Sequence, residues 1–328
     1  MQKMYRSTWI ALSQLEKEAV MRSLVEKLPE GFKYEGIKTF SRYGVTLDTG
    51  VFTYQGSSFS FIPGDEVTLG WESWATGMDE ATKESLLEAL AEFDITDTEE
   101  YLREYMSPMR KAVIGPFLAE HHTHPAGWRE VLLEEAAALG IGELEADLEK
   151  FRASTYNIFE RGQSYRLERQ EKGVIVYLFN DDLTPENMNA ELCKEGFSLP
   201  TEDEWEYLFG GGCRTMFPWG DSFDFDMKFK YFEDSGKSGV ERVYDLNLPN
   251  AFGLQFLGDP YQYEWTIREE RLIPKGGDGG CSICGGMGLV AGYLPAAAVY
   301  YRDPYVHELD WEDVLDNLHF RRVVRVEP

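Results

Sequence analysis

Several things are scarce in this sequence. Four cysteines, Cys193, Cys213, Cys281 and Cys284, stand in 328 residues. That is too few for the dense disulfide framework of a small secreted domain, and a reducing, cytoplasmic setting is the expectation. No apolar run approaches the ~20 residues that a membrane-spanning helix needs. The opening stretch, MQKMYRSTWIALSQLEKEAV, lacks the apolar core and small-residue cleavage site of a signal peptide. Basic residues are few: 32 Lys and Arg face 58 Asp and Glu, a formal charge of −26. Such a field repels phosphate backbones and anionic lipid, so neither nucleic acid nor a membrane surface is expected as a partner. A basic protein or peptide would instead be drawn in. The chain also has no internal repeat, no low-complexity linker, and only five histidines.

What is present suits a globule. Hydrophobic residues make up 43% and aromatic residues 14%. A chain of this length buries roughly three quarters of the surface that it exposes when unfolded. Ser13 to Glu16 has the S-x-x-E form of a capping box, and Met21, Leu24, Val25 and Leu28 follow at helical spacing until Pro29. From Tyr43 to Trp71 the texture is β-branched and aromatic, with a turn expected at Gly56, Ser57 and Ser58. Helices are expected in 78–108 and again from His124 to Gly140, with a short strand between them over 110–120. A helical or polar stretch continues to about residue 170. GVIVYLF (173–179) reads as a short buried strand, and Thr184 with Pro185 opens a further helix. Beyond 209 the chain reads as irregular.

LPTEDEWEYL (199–208) repays close reading. Thr201 can cap a helix whose Glu204 reaches back, while Glu202 and Asp203 suit the positive end of its dipole. Taken alone this is a well-made helix start. The string, followed by FPWGD, nevertheless resembles the formylglycine-generating enzyme family, also called the sulfatase-modifying factor family. FSFIPGDEVTLGW (59–71), NAFGLQFLGDPYQY (250–263), PKGGDGGC (274–281) and NLHFRRV (317–323) match further pieces of that family's pattern in the same order. The resemblance implies an α+β fold, a variant of the C-type lectin fold, with much irregular chain and added helices. It divides the chain into an N-terminal helical extension (1–42) and a family domain (43–328) with a helical insertion at about 72–170.

Active members of that family use oxygen to convert a partner's cysteine to formylglycine, and hold Cu(I) between two cysteines spaced C-x4-C. Cys281 falls on the first of these, but the second position is Gly286 and the other thiol, Cys284, comes two residues early. Asp278 replaces the family's serine, and Gly279 its aromatic residue. A C-x2-C pair also has other uses. Zinc asks for four ligands, of which Cys193 and Cys213 would have to supply two, yet both read as core thiols. A redox disulfide is helped by a helix N-terminus, and none is expected to follow here. Inert thiols, a copper site, another metal and a redox pair therefore all stand open. The family's calcium segment is changed as well: Asp259 and Gln262 retain oxygen donors, while Pro260 intrudes. Packing of Tyr261, Tyr263 and Trp265 into the core is the structural alternative.

Two other clusters are better read as solvated. Adjacent histidines on an extended loop point opposite ways, which argues against His121, His122 and His124 converging on a metal. The carboxylates of DWEDVLD (310–316) read as an acidic face. Two functions follow. The first is a divergent, non-catalytic module that recognises a protein or peptide. The alternative is a copper-dependent, oxygen-using oxidase acting through Cys281, Cys284 and Asp278. Recognition of a small molecule or glycan is suggested by aromatic content alone.

Overall fold

A computed structural model describes residues 2–73, 77–170, 173–180, 183–232, 243–306, 309–310 and 314–326. The chain opens with α1 (Arg6–Trp9) and α2 (Gln14–Leu24), then β1 (Lys33–Arg42), β2 (Val45–Tyr54), β3 (Ser57–Ile62) and β4 (Asp65–Leu69). Helices α3 (Glu80–Ala91) and α4 (Thr98–Glu104) precede β5 (Arg110–Ile114), β6 (Phe117–Glu120), β7 (His124–Pro125) and β8 (Trp128–Val131). Next come α5 (Leu133–Ala138), α6 (Leu144–Ala153), β9 (Ile158–Arg161), β10 (Tyr165–Gln170) and β11 (Gly173–Phe179). The last part holds α7 (Pro185–Lys194), α8 (Glu202–Gly210), β12 (Tyr263–Arg268), β13 (Arg271–Lys275), α9 (Cys281–Cys284), α10 (Gly288–Ala297), β14 (Leu318–Phe320) and β15 (Val323–Arg325). The protein is thus α+β, with ten helices and several antiparallel sheets among the described residues.

Local chemistry explains many of the boundaries. Ser13, Thr184 and Thr201 each close a reciprocal capping box, with Glu16, Asn187 and Glu204 respectively. Helix α8 stops at Gly211, whose φ of 62° is the left-handed cap that glycine adopts without strain. Strands β2 and β3 are joined by Gln55–Gly56, both at positive φ, the geometry that matches the twist of a hairpin.

The main sheet runs β1-β2-β3-β6-β15 and is antiparallel throughout. A second sheet, β13-β12-β14-β7, contains one parallel pair, β12 with β14. Strands β4 and β5 form a ribbon. These pack around one large core that includes Trp9, Phe52, Phe61, Trp205, Tyr263 and Leu294. A third sheet, β8-β11-β10-β9, has a small core of its own with α5 and α6, centred on Leu148, Phe151, Tyr165, Leu167 and Val176.

The helical expectations need correction in four places. Residues 33–42, placed in a helical extension, form β1 and pair along their length with β2. The insertion over 72–170 is mixed: it contributes six strands, and β6 lies inside the main sheet. The helix expected from His124 begins only at Leu133, because β7 and β8 occupy the start of that stretch. The helical or polar stretch expected up to about 170 holds helix α6 but ends in a hairpin, β9 with β10.

Candidate functional site

The loop after β13 carries the residues that the sequence singles out. Gly277 lies so close to other backbone that a Cβ there would stand 2.0 Å from the Gln262 carbonyl oxygen. At Gly280 (φ 80°) a Cβ would stand 2.3 Å from the Tyr261 ring. Glycine is therefore required for the loop to fold against 260–263. The Asp278 and Gly280 amides donate to the Pro260 carbonyl at 3.0 and 3.1 Å.

Asp278 is 4% exposed. Its carboxylate accepts from the Gly280 and Ser282 amides, each at 2.9 Å. Burial nevertheless raises its pKa, and no Lys or Arg pairs with it among the described residues. Its role is to close the loop onto the one-turn helix α9. That helix contradicts the expectation of a plain loop: Cys281 is its first residue and Cys284 its last.

Both thiols are free and exposed. Three residues apart on one helical turn, they share a face. Partial burial, then the charges of Asp278 and Asp303, raise the Cys281 thiol above its ordinary value. Cys284 Sγ lies 2.8 Å from the Tyr261 hydroxyl, and this hydrogen bond raises the tyrosine in turn. Among the described residues no Lys, Arg or His lowers the Cys281 thiol. Of the other two cysteines, Cys193 is exposed rather than a core thiol, while Cys213 is half-buried with burial raising its thiol. Among the described residues no three His, Cys, Asp or Glu side chains converge as metal ligands.

The segment assigned to calcium holds different partners. The Asp259 carboxylate is paired with the Lys230 ammonium and accepts from the Tyr231 hydroxyl at 3.0 Å and the Tyr261 amide at 3.0 Å. Gln262 turns elsewhere: its amide nitrogen donates to Asn317 at 3.1 Å and its oxygen lies 2.7 Å from His319 Nε2. An ammonium thus sits on the carboxylate, and the two proposed ligands serve separate networks. Tyr261 and Tyr231 meet edge to face, with ring centroids 5.1 Å apart, and link the Asp259 cluster to Cys284.

A cluster of tyrosines lies near the Asp278 carboxylate. Tyr101 and Tyr105 pack at 4.4 Å, and Tyr105 also meets Tyr301 and Tyr305 at 6.1 and 6.3 Å. The Tyr305 amide donates to the Asp303 carboxylate at 2.8 Å. Asp303 and Asp278 both act on Cys281, Tyr263 and Tyr301, so the two carboxylates face one neighbourhood. Burial first, then these charges, hold Tyr263 and Tyr301 well above the usual tyrosine range.

The histidines diverge. His121 contacts Ser60 Oγ at 2.8 Å, and His124 contacts Glu120 Oε1 at 2.8 Å. In DWEDVLD, residues 311–313 lie outside the described residues.

Sequence reasoning missed a set of buried ions. Arg321 is fully buried beside Glu264, which it meets at 2.9 Å, and also donates to the carbonyls of His121 and Gln255 at 3.0 and 2.7 Å. Lys275, 1% exposed, donates to Glu206 at 3.0 Å, and Arg110 reaches the other oxygen of that carboxylate at 2.9 Å. Arg302 pairs with both oxygens of Glu202. The signal was visible in the arginine of NLHFRRV and the acidic run of α8, whose partners only the fold supplies. No protein-family model matches this chain, and no curated protein matches it.

Proposed function

We propose that the chain is a divergent relative of the formylglycine-generating enzymes, of C-type-lectin-like fold, that recognises a basic protein or peptide without modifying it. The observation that carries this reading is the setting of Cys281. Burial and then two carboxylates, Asp278 and Asp303, raise this exposed thiol, and the same carboxylates act on Tyr263 and Tyr301. Acidic groups beside aromatic faces favour ammonium and guanidinium side chains. The charge of −26 steers such a partner toward the surface.

One feature supports a second reading. Two exposed thiols on one turn offer the soft donors that suit Cu(I). In that reading Cys281 and Cys284 would hold copper, which would supply the oxygen chemistry. The neighbouring carboxylates oppose the Cys281 thiolate that it needs.

Titration with an oligolysine peptide, against oligoglutamate, tests the proposal. Oligolysine should bind, and Asp303→Asn should weaken it about threefold or more, the size of one partly exposed charge contact. Cys281→Ser should leave binding unchanged. Oxygen-dependent conversion of a cysteine peptide, lost in Cys281→Ser together with anaerobic Cu(I) uptake, would replace this reading with the oxidase.

A further inference from the structure

The small sheet carries a surface independent of the Cys281 face. Helices α5 and α6 cover one side of it, with Ala136, Leu148 and Phe151 packed onto Leu167 and Val176. Between the two helices the surface opens into a cavity of 760 Å³. Leu133, Ala137, Ile141 and Leu148 line it. Leu132 and Leu139 stand nearby, 74% and 57% exposed. One exposed leucine needs no explanation, but several around an apolar concavity mark a contact surface. The rim is acidic: Glu143, Glu145 and Glu149 line the opening, with Arg152 as the basic exception. Glu143 is paired with Arg161, whereas Glu145 and Glu149 make no ion pair among the described residues.

We infer that this groove takes an amphipathic helix of a partner protein, apolar along one stripe and flanked by Lys or Arg. A trough between two helices accepts a third through anchors at i, i+3, i+4 and i+7. Helix α6 has ten residues, so its wall of ~15 Å matches an occupant of two to three turns. Charge selects among occupants. A second copy would bring the same acidic rim and a further −26, and an anionic lipid surface is repelled for the same reason. Basic flanks complement Glu145 and Glu149.

The test uses two synthetic helical peptides with the same leucine stripe, one with Lys on its polar face and one with Glu, titrated by fluorescence anisotropy. The Lys peptide should bind about tenfold tighter or better, and its advantage should shrink as salt rises. Leu133→Asp should weaken both. The double variant Glu145→Lys/Glu149→Lys changes two exposed side chains, and circular dichroism checks that it folds. It should reverse the preference. Asp303→Asn should change nothing here, which separates this site from the Cys281 face. The inference is overturned if neither peptide binds, if both bind equally, or if the preference survives charge reversal. A dimer seen by sedimentation and abolished by Leu133→Asp would assign the groove to a second copy, and would also overturn it.

Discussion

The body of the protein and the small sheet of residues 128–179 are held together in different ways. In the body, charges lie inside: Arg321 on Glu264 and Lys275 on Glu206, each residue 1% exposed or less. Arg321 donates to backbone carbonyls at 121 and 255, tying irregular chain that no ladder satisfies. The small sheet is a regular antiparallel stack whose backbone groups pair with one another. Among its described residues one carboxylate is buried, Asp147, bound by Tyr165 and Arg161. In the body Arg321 thus serves carbonyls at 121 and 255 that lie outside the strands, while in the small sheet the strands pair with one another.

Removing the central ion should break that contrast most forcefully. Arg321→Met leaves Glu264 buried and unpaired and frees the carbonyls, so a loss of about 3–5 kcal/mol is expected in denaturant unfolding. A loss below about 1 kcal/mol would show that the ions are not what ties the body. Leu167→Ala, in the small core, should cost about 3 kcal/mol. Hydrogen exchange should place that loss within 128–179 while protection of β2 and β3 persists. Spread over both regions, it would show one cooperative unit.

Acid should separate the two regions more gently. Burial holds His121 and His319 at about 4, below the ordinary 6.5. The unfolded chain then takes up protons that the folded chain refuses, so stability is full above pH ~6.5 and falls as pH drops from there toward 4. Glu120 and Glu202, whose burial is outweighed by Arg322 and His124 and by Lys275 and Arg302, sit at about 2, below the ordinary 4.5. They extend the loss from pH ~4.5 down to 2. Residues 128–179 contain no histidine. Between pH 7.5 and 5, exchange protection should therefore fall in the body first; earlier loss in the small sheet would reverse the comparison.

Elements with their own local signal were legible in the sequence. The caps at Ser13, Thr184 and Thr201 write their helices into three or four residues. Strand β1 was not legible, because KYEGIKTFSR has a polar edge-strand texture and owes its state to β2. In β9 and β10, charged residues such as Arg161, Arg166 and Glu168 mask a pairing that needs the partner strand. GGDGGCSICGG reads as loop because glycine opposes helix, yet the buried Asp278 carboxylate supplies the capping that lets Cys281–Cys284 turn. The C-x2-C spacing places both cysteines on the single turn of α9. Asp278 stands in the same stretch, whereas Asp303 and the tyrosines come from distant segments.

Gly127 and Asn180 stand side by side. The Asn180 amide donates to the Gly127 carbonyl at 2.9 Å, Trp128 pairs with Phe179, and their rings meet at 5.2 Å. Everything between them therefore leaves and re-enters the body through one narrow neck. To the body this whole layer is topologically a tight turn. It can be lengthened, exchanged or cut back without rethreading the chain, at a closure cost that grows only slowly with length. Such an arrangement makes the layer an insert on a frame whose buried ions lie outside it.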